Sequence, residues 1–378
     1  MSGSRKDDHL NYAAAQQREQ RPSTDWDEVR LLHHALAGIN AEEVSLRTHL
    51  PTGSGTITWP LPFYINGMTG GSELTGKVNE ALAEAAAQTG VAIATGSMSM
   101  YLKDPETLPT FRVLRDRNPQ GFVMANLSAE ATPDQARRVV EALEADALQI
   151  HLNAVQETVM PEGSRDFGTW PGRIEAVAAA LEPLGVPVVV KEVGFGMTRE
   201  TLTRLADLGV QLADVSGCGG TNFARIENER RDGRDYAFFA DFGQSAPACL
   251  LDALSLDSSR VIPALLASGG VRNPYDVVRG LALGAEAVGV AGTFLHAVLD
   301  DTHTGSCIGG VERLITLIEA WRARLTEICA LLGVRTTAQL RHADVLITGQ
   351  LAHVAELRNT DLKALATRTA RRPAPEEA

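Results

Sequence analysis

The chain has 378 residues and a formal net charge of −12, with 44% hydrophobic and 22% charged residues. These values are typical of a soluble globular protein with one large core. Nucleic acid is excluded as a partner because there is no basic excess to neutralise its phosphates. No apolar run is long enough to span a membrane, and the four cysteines form no C-x-x-C pair, so we expect reduced thiols in a cytoplasmic protein.

Short apolar runs alternate with amphipathic helical segments along most of the chain. The runs predicted as strands are 62–66, 91–95, 122–126, 148–152, 187–191, 212–216, 263–268 and 287–292. The segments predicted as helices include 73–89, 133–145, 171–184, 198–208 and 273–283. Eight strand–helix units predict an α/β fold, a (β/α)₈ TIM barrel. An open doubly wound sheet is the alternative, but the glycine-rich loops here follow the first, sixth, seventh and eighth runs.

The barrel is expected to carry extensions at both ends. We assign residues 1–60 to an N-terminal arm and pre-barrel segment, 61–308 to the barrel, and 309–378 to C-terminal helices with a loose tail. The first 20 residues are polar and either form a short helix or stay disordered. Residues 221–260 are too long for an ordinary connection, so we expect a mobile lid or an inserted helix there.

Three glycine-rich loops follow the last three predicted strands. They are SGCGGTNF (Ser216–Phe223), SGGVR (Ser268–Arg272) and AGTF (Ala291–Phe294). In a barrel these loops lie at the carboxyl ends of the strands, where active sites form. Any one of them alone is equally well a simple turn. Together they predict a phosphate site, because glycines let backbone N–H groups approach phosphate oxygens and Arg272 supplies a positive charge.

Several polar residues end other predicted strands. Lys191 closes the apolar run PVVVK, so it either pairs with a neighbouring carboxylate or faces an anionic ring such as a reduced flavin. Asn126 and Ser97 are placed to bond the polar edge of such a ring. The GMTGG segment (67–71) offers backbone donors and a thin wall beside it.

A second group of candidates follows the fourth predicted strand. His151 and Asn153 alternate on this strand, so both are expected to point into the barrel mouth. His151 alone is better interpreted as a core histidine, but Gln156 and Glu157 just beyond favour a site. Gln156 is too weak an acid or base for proton transfer at neutral pH. Glu157, expected on a loop, suits Mg²⁺ only if a diphosphate shares the metal.

These motifs together resemble one family. RKDDH (Arg5–His9), NGMTGG (Asn66–Gly71), HLN (His151–Asn153), QETVMPEG (Gln156–Gly163) and KEVGFG (Lys191–Gly196), with the glycine loops, are similar to type 2 isopentenyl diphosphate isomerases. The resemblance extends from Arg5 to about Gly292. The combination of RKDDH, HLN and QETVMPEG is specific, whereas the glycine loops alone fit many FMN barrels.

The resemblance implies interconversion of isopentenyl and dimethylallyl diphosphate with FMN, Mg²⁺ and NADPH as the flavin's reductant. It implies catalytic roles for Gln156, His151 and Lys191, and it implies metal binding by Glu157. Substrate binding falls to Arg5, Lys6, His9, Asn153 and Gln156, with Arg5 and Lys6 reaching a neighbouring subunit of a homo-oligomer, a tetramer by family analogy. The implied FMN contacts are Gly67, Met68, Thr69, Ser97, Asn126, Lys191, Ser216, Thr221, Gly270, Val271, Arg272, Ala291 and Gly292.

The sequence departs from the family pattern at two places. Met98-Ser99-Met100 stands where some members have a basic residue, which puts a diphosphate contact in doubt. Phe242 and Ala246 replace an expected Trp and Thr, which we interpret as changes in a lid or in the core.

Three other functions compete with this interpretation. An FMN oxidoreductase acting on hydroxy acids would need a histidine–arginine pair late in the barrel, and the sequence has none there. A nucleophilic Cys218, as in barrels similar to IMP dehydrogenase, would leave RKDDH and QETVMPEG unexplained, so we interpret Cys218 as structural. A non-catalytic flavin- or phosphate-binding barrel would bind a coloured cofactor without turnover.

Overall fold

The computed structural model of the chain describes residues 5–18, 24–53, 55–257, 259–299 and 309–371. These residues form the strands β1 (Val29–Leu31), β2 (Thr48–Thr52), β3 (Gly55–Trp59), β4 (Phe63–Ile65), β5 (Ala92–Ala94), β6 (Val123–Ser128), β7 (Ala147–Leu152), β8 (Val188–Glu192), β9 (Leu212–Asp214), β10 (Ala264–Ser268), β11 (Ala287–Val290) and β12 (Val345–Ile347).

Strands β4 to β11 close into a barrel. They pair in the order β10-β11-β4-β5-β6-β7-β8-β9, and every pair in the ring is parallel. Each strand overlaps one of the eight predicted apolar runs, so the prediction of a (β/α)₈ barrel is confirmed. Strands buried on both faces give continuous apolar runs instead of alternation, which is why these short segments were recognisable.

Helices alternate with the barrel strands and also extend the chain at both ends. They are α1 (Arg5–Arg18), α2 (Glu73–Thr89), α3 (Ser99–Lys103), α4 (Pro109–Arg117), α5 (Pro133–Leu143), α6 (Ala154–Val159), α7 (Trp170–Leu181), α8 (Arg199–Asp207), α9 (Phe223–Glu229), α10 (Ala246–Leu254), α11 (Pro274–Ala282), α12 (Gly292–Val298), α13 (Gly310–Leu331), α14 (Gly349–Leu357) and α15 (Leu362–Ala366). No helix in the described ranges has the length and apolar character that a membrane crossing needs.

Capping side chains set where several barrel helices begin. Thr132 and Gln135 exchange side-chain hydrogen bonds with each other's backbone N–H groups (3.3 and 2.9 Å) ahead of α5. Asn273 accepts from the N–H of Asp276 (3.1 Å) at the start of α11. Ser245 accepts from the N–H of Ala248 (3.2 Å) and starts α10. The long connection after β9 therefore contains the inserted helix α9 before the barrel helix α10 begins.

The amino-terminal end of the barrel is closed by a hairpin. Strands β2 and β3 pair antiparallel, and Trp59 at the end of the hairpin is only 2% exposed. Its ring lies 5.5 Å from that of Tyr64 and 5.3 Å from that of Phe122, measured between centroids. This aromatic contact fills the base of the barrel, so the opposite, carboxyl end is left to form a cavity.

The segments on both sides of the barrel pair with each other. Strand β1 runs antiparallel to β12, with Val29 opposite Ile347. Helix α13 packs its Trp321 against Phe63 of β4 and Phe294 of α12, with centroid distances of 5.8 and 5.2 Å. Helix α13 and strand β12 therefore pack outside the barrel.

Helix α1 lies across the carboxyl end of the barrel of its own chain. Gln16 and Asn222 exchange two hydrogen bonds, 3.2 Å from the Gln16 amide to the Asn222 carbonyl and 2.8 Å from the Asn222 N–H to the Gln16 side chain. At the other end of the helix, Ser72 donates to Asp7 (2.6 Å). These contacts hold α1 between the loops that follow β4 and β9.

Candidate active site

A single large cavity opens at the carboxyl ends of the barrel strands. Its volume is about 970 Å³, at the upper end of the range for small-molecule sites. The end of every barrel strand contributes to its wall, and helix α1 covers one side. All of the sequence-predicted site residues whose side chains are described line this cavity.

The three glycine loops meet at one side of the cavity. Gly270 has a φ of +70°, and a Cβ there would lie 2.8 Å from the backbone of Gly219. A Cβ on Gly220 would lie 2.9 Å from the Gly270 nitrogen. Side chains at these positions would separate the loops, so glycine is required for their contact.

Backbone donors in these loops face the cavity. Within the described ranges the N–H groups of Gly270 and Val271 donate to no protein acceptor, and both residues line the cavity. Thr221, Ala291 and Gly292, from the neighbouring loops, line it as well. Unpaired N–H groups in such a loop are suited to accept an anion.

Arg272 lines the same side of the cavity, but its guanidinium is already paired. It donates to both carboxylate oxygens of Asp27 (2.7 and 2.9 Å) and of Asp276 (3.0 and 3.1 Å). The hydrogen bond from Arg272 lowers the pKa of Asp27 from 3.8 to about 2. Any phosphate at this loop would therefore meet an arginine whose charge is compensated by two carboxylates.

The loop after β4 forms a thin wall. A Cβ on Gly67 would lie 2.4 Å from the Thr95 carbonyl oxygen, and one on Gly96 would lie 2.5 Å from the Thr69 nitrogen. No Cβ therefore fits at Gly67 or Gly96, and Gly67, Met68 and Thr69 line the cavity together with Ser97 and Asn126.

Lys191 is buried at the floor of the cavity. Its ammonium donates to the Glu192 carbonyl (2.7 Å) and the Ser216 hydroxyl (3.0 Å) and lies 3.7 Å from the Asp214 carboxylate. Ser216 adopts a left-handed backbone with φ of +34°, which costs free energy in a residue other than glycine. The two interpretations of Lys191 are therefore compatible, since it both pairs with a carboxylate and lines the cavity.

Asp214 contacts Lys191 and Ser268 of the cavity wall, and the sequence did not indicate it. It is fully buried and accepts hydrogen bonds from Tyr64 (2.7 Å), Asn66 (3.1 Å) and Ser268 (2.8 Å). Burial, together with the charge of Asp214, raises the pKa of Tyr64. The position of Asp214 in the apolar run LADVS is its only signal, because its partners come from other strands.

His151 is held in its neutral form. Its Nδ1 lies 2.8 Å from Oδ1 of Asn126, which donates through Nδ2 to Gln149 (3.0 Å). Burial, together with the positive charges of Lys6 and Lys191, lowers the pKa of His151 from 6.5 to about 3. The ring therefore donates through Nδ1 and keeps an unprotonated Nε2 at neutral pH.

Two details of the segment after β7 correct the sequence analysis. The strand ends at Leu152, so Asn153 follows the strand and does not alternate on it with His151, although both line the cavity. Gln156 and Glu157 lie on the short helix α6 instead of a loop. Helix α6 has only six residues, which is too short to show helical periodicity, so the sequence did not indicate a helix.

Gln156 is positioned by a buried carboxylate. Its amide donates to Oε1 of Glu227 (2.8 Å), which also lies 3.0 Å from Nε2 of His9. Burial acts to raise the pKa of Glu227, but hydrogen bonds from His9, Gln156 and Arg230 outweigh it and lower the pKa to about 2. The sequence did not identify Glu227, which lies on α9 in the inserted segment and meets Gln156 only after folding.

Glu157 is a carboxylate that lines the cavity. It accepts from the Asn153 amide (2.8 Å) and the Ser164 N–H (2.9 Å). In the described part of the chain no three histidine, cysteine, aspartate or glutamate residues cluster in a way that could hold a metal ion. Mg²⁺ at Glu157 would therefore need oxygens from a bound diphosphate and water.

The charged motif at the start of the chain reaches the cavity only in part. Lys6 and His9 line it from α1. Arg5 begins the helix, but its side chain lies outside the described residues. The single chain places Lys6 and His9 at its own site, whereas the sequence analysis expected the arm to reach a neighbouring subunit.

The departures from the family pattern lie around the cavity. Ser99 and Met100 line it, while Met98 is buried. Phe242 is 51% exposed in the inserted segment, and Ala246 is buried at the start of α10. Cys218 is half-buried, and its N–H donates to the Gln244 carbonyl (2.9 Å).

Comparison with solved structures supports the fold. Mandelate oxidase with (S)-2-phenylpropionate superposes with a TM-score of 0.60 at 19% identity, over 92% of this chain and 91% of that one. A mutant of flavocytochrome b2 with benzoylformate gives a TM-score of 0.62 at 18% identity, over 98% of this chain and 86% of that one. Identities this low show a shared barrel and leave the activity open.

Comparison with sequences gives the family. The family model for FMN-dependent dehydrogenases matches residues 115–347. The isopentenyl-diphosphate delta-isomerase of Kitasatospora griseola is 52% identical over 97% of this chain and 96% of its own length. The enzymes of that name from Nocardia farcinica and Listeria innocua are 51% and 42% identical over 98% and 96% of this chain, and each match covers 97% of the relative. The chain belongs to the isopentenyl-diphosphate delta-isomerases of type 2, the FMN-dependent form.

Proposed function

We propose that the chain interconverts isopentenyl and dimethylallyl diphosphate, using FMN and Mg²⁺, with NADPH as the reductant of the flavin. The observation that carries the proposal is one cavity in which the glycine loops, a buried lysine and the uncharged residues His151 and Gln156 converge. The names of relatives that are 42% to 52% identical over nearly the full length support the substrate.

The residues present suit FMN. The unpaired N–H groups of Gly270 and Val271 suit its phosphate, and the glycine wall at Gly67 leaves room for a flat ring. Lys191 is suited to face the ring edge that becomes anionic on reduction. We assign the contacts to Gly67, Met68, Thr69, Ser97, Asn126, Lys191, Ser216, Thr221, Gly270, Val271, Arg272, Ala291 and Gly292.

The proposed reaction moves a double bond without net oxidation. One proton is added to the terminal alkene carbon and another is removed from C2. Reduced FMN would supply an electron-rich ring that stabilises developing positive charge and can carry a proton. Around it, the neutral ring of His151 and the amide of Gln156 orient the hydrocarbon part of the substrate, and Lys191 holds the negative charge of the cofactor in place.

The diphosphate is assigned to the side of the cavity next to α1 and α6. Arg5, Lys6 and His9 on α1, with Asn153, would bind its oxygens. Glu157 would share Mg²⁺ with the same oxygens, because Mg²⁺ commonly takes one or two carboxylates together with substrate phosphates. In this arrangement helix α1 also excludes water from the site.

Oxidation of a hydroxy acid, the activity of the barrel's structural neighbours, is less well supported. Of the residues that line the described cavity, His9 and His151 are the histidines, and neither follows a strand late in the barrel. Arg272 is paired with two carboxylates and is not free to bind a substrate carboxylate. A histidine–arginine pair for that chemistry is therefore missing from the described cavity wall.

We further propose a cytoplasmic homo-oligomer, a tetramer by family analogy. The described cysteines Cys218, Cys249 and Cys329 form no disulfide, which suits a reducing compartment. Light scattering on the purified protein tests the assembly, since a monomeric mass would contradict it.

The test of the proposed function is an anaerobic assay. Purified protein receives FMN, Mg²⁺, NADPH and isopentenyl diphosphate, and dimethylallyl diphosphate is followed, with each component omitted in turn. We expect product only in the complete mixture. A flavin-loaded protein that forms no product would contradict the isomerase, and a hydroxy-acid panel would then test the oxidoreductase.

A further inference from the structure

Trp26 contacts the loop SGGVR (Ser268–Arg272), here called the phosphate loop, from outside the cavity. It lies in a short 3₁₀ turn, Asp25–Glu28, ahead of the barrel, and its side chain is only 1% exposed. The indole N–H donates to the carbonyl oxygen of Gly269 at 2.9 Å. Its ring also lies over α11, where a Cβ on Gly280 would be 3.5 Å from it.

The acidic neighbours of Trp26 hold this turn in place. Asp25 accepts a hydrogen bond from the Ser245 hydroxyl (2.5 Å) at the start of α10. Asp27 binds Arg272, at the end of the phosphate loop, through both oxygens. The turn is thus tied on one side to the barrel helix after β9 and on the other to the loop after β10.

The hydrogen bond from Trp26 sets the direction of a cavity donor. A trans peptide is planar, so the carbonyl of Gly269 and the N–H of Gly270 point in opposite directions. Gly269 and Gly270 both have positive φ (+102° and +70°), and glycine has little preference of its own among such conformations. A partner that holds the Gly269 carbonyl away from the cavity therefore turns the Gly270 N–H towards it.

We propose that Trp26 is a positioning residue for the cofactor phosphate, acting through the peptide between Gly269 and Gly270. The inference rests on the proposed function, because it takes the ligand of this loop to be the FMN phosphate. Without Trp26 the two glycines would sample other conformations, and binding a phosphate would require ordering them again. Arg272, held by Asp27 and Asp276, contributes less to this site than its position in the loop indicates.

The test compares flavins with and without the phosphate. Binding of FMN and of riboflavin to the apoprotein is measured by flavin fluorescence for the native chain and for Trp26→Phe. We expect the Kd for FMN to rise about 2- to 10-fold, the effect of one hydrogen bond, while the Kd for riboflavin stays the same. Unfolded protein in the sample would affect the Kd values for FMN and riboflavin equally, so their ratio would not change.

Trp170 provides a matched control. It is also a buried tryptophan, 7% exposed, but its indole N–H has no partner in the described structure. Trp170→Phe should leave the preference for FMN over riboflavin unchanged. If Trp26→Phe fails to fold, Asp25→Asn loosens the same turn from α10 and should raise the ratio of the FMN Kd to the riboflavin Kd by a smaller factor.

The remaining outcomes overturn the inference in different ways. An equal loss of affinity for both flavins would show that Trp26 contributes only packing. If the ratio of the FMN Kd to the riboflavin Kd is unchanged in both Trp26→Phe and Asp25→Asn, the turn does not position the phosphate loop. A native chain that binds neither flavin would remove the proposed function, and this inference with it.

Discussion

At the residue scale, the site depends on charges buried deep in the barrel. Lys191 and Asp214 are both buried. A buried charge without a partner would cost several kcal/mol of desolvation free energy. Their cost is offset by hydrogen bonds from Tyr64 and Ser268 to Asp214 and from Lys191 to Ser216. Because these partners come from different strands, Lys191 can be charged at the cavity floor only when the barrel is folded.

The assignment of Mg²⁺ to Glu157 can be tested by removing its charge. In Glu157→Gln the neutral amide is a weaker ligand for a hard cation, so the Mg²⁺ concentration for half-maximal activity should rise about tenfold or more. FMN binding should not change. Glu130→Gln, at another carboxylate lining the cavity, is the control, and matching Mg²⁺ titrations for both variants would refute the assignment.

The buried His151 predicts a pH dependence of stability. Its folded pKa of about 3 lies below the ordinary value of 6.5, so the unfolded chain binds the extra proton between these values. Stability should therefore fall as the pH decreases below 6.5, by about 1.4 kcal/mol per pH unit from this residue.

Urea unfolding of the native chain and of His151→Gln at about pH 7.5 and about pH 5 measures this effect. The stability difference between the two proteins should shrink by about 2 kcal/mol at the lower pH, because the variant lacks the titrating ring. His49→Gln, at an exposed position, controls for histidine replacement. A difference that is constant with pH would mean that His151 is not held neutral.

The candidate residues were predictable where the signal is local. Lys191 and His151 end apolar runs, and the glycine loops follow strands, so sequence order alone placed them in one cavity. Asp214 and Glu227 were not found, because each is defined by partners far away in the chain. For the same reason the pairing of Arg272 with Asp27 was missed, since 245 positions separate the two residues.

At the scale of elements, helix α1 links the start of the chain to the reacting end of the barrel. Its Leu10 and Ala14 are buried in the core, and polar contacts join Asp7 to Ser72 and Gln16 to Asn222. Both kinds of contact hold α1 over the side of the cavity that Lys6 and His9 line.

Deleting residues 1–9 tests the role of this helix. The deletion removes Lys6 and His9 but no part of the barrel, so the fold and FMN binding should be retained. The KM for isopentenyl diphosphate should rise about tenfold or more, the effect of losing a charged hydrogen-bond donor. A chain starting at Arg5 is the control, and an unaltered KM in the longer deletion would exclude a role in substrate binding.

The eight barrel strands and five helices between them were predicted from periodicity and capping residues. The pairing of β1 with β12 was not, because three-residue strands carry too little pattern to be recognised. The short helix α6 was missed for the same reason. Elements fixed by long-range contacts are in general outside the reach of local periodicity.

At the scale of the whole molecule, the flanking segments are joined to the barrel through buried aromatic rings. Trp321 of α13 is 4% exposed and packs on Phe63 and Phe294, which are fully buried. Because Phe294 is the last residue of AGTF and lies on α12, helix α13 also packs against the segment that follows β11 at the cavity. We propose that residues 1–60 and 309–378 do not fold independently of the barrel.

Trp321→Ala tests this dependence. Loss of a buried tryptophan leaves a cavity and should destabilise the chain by about 3–5 kcal/mol. Leu331→Ala, at a 53% exposed position at the end of the same helix, should change stability by less than about 0.5 kcal/mol. Urea unfolding with FMN fluorescence as a second probe gives both values, and similar midpoints for the two variants would show that α13 is only loosely attached.

The central claim is that the barrel moves a double bond by proton transfer with no net consumption of its reduced flavin. Anaerobic turnover of isopentenyl diphosphate in D₂O, with FMN reduced once at the start, tests it most directly. We expect dimethylallyl diphosphate that carries deuterium, formed over many turnovers while the flavin spectrum stays that of the reduced form. Oxidation of the flavin in proportion to substrate consumed, or product without deuterium, would contradict it.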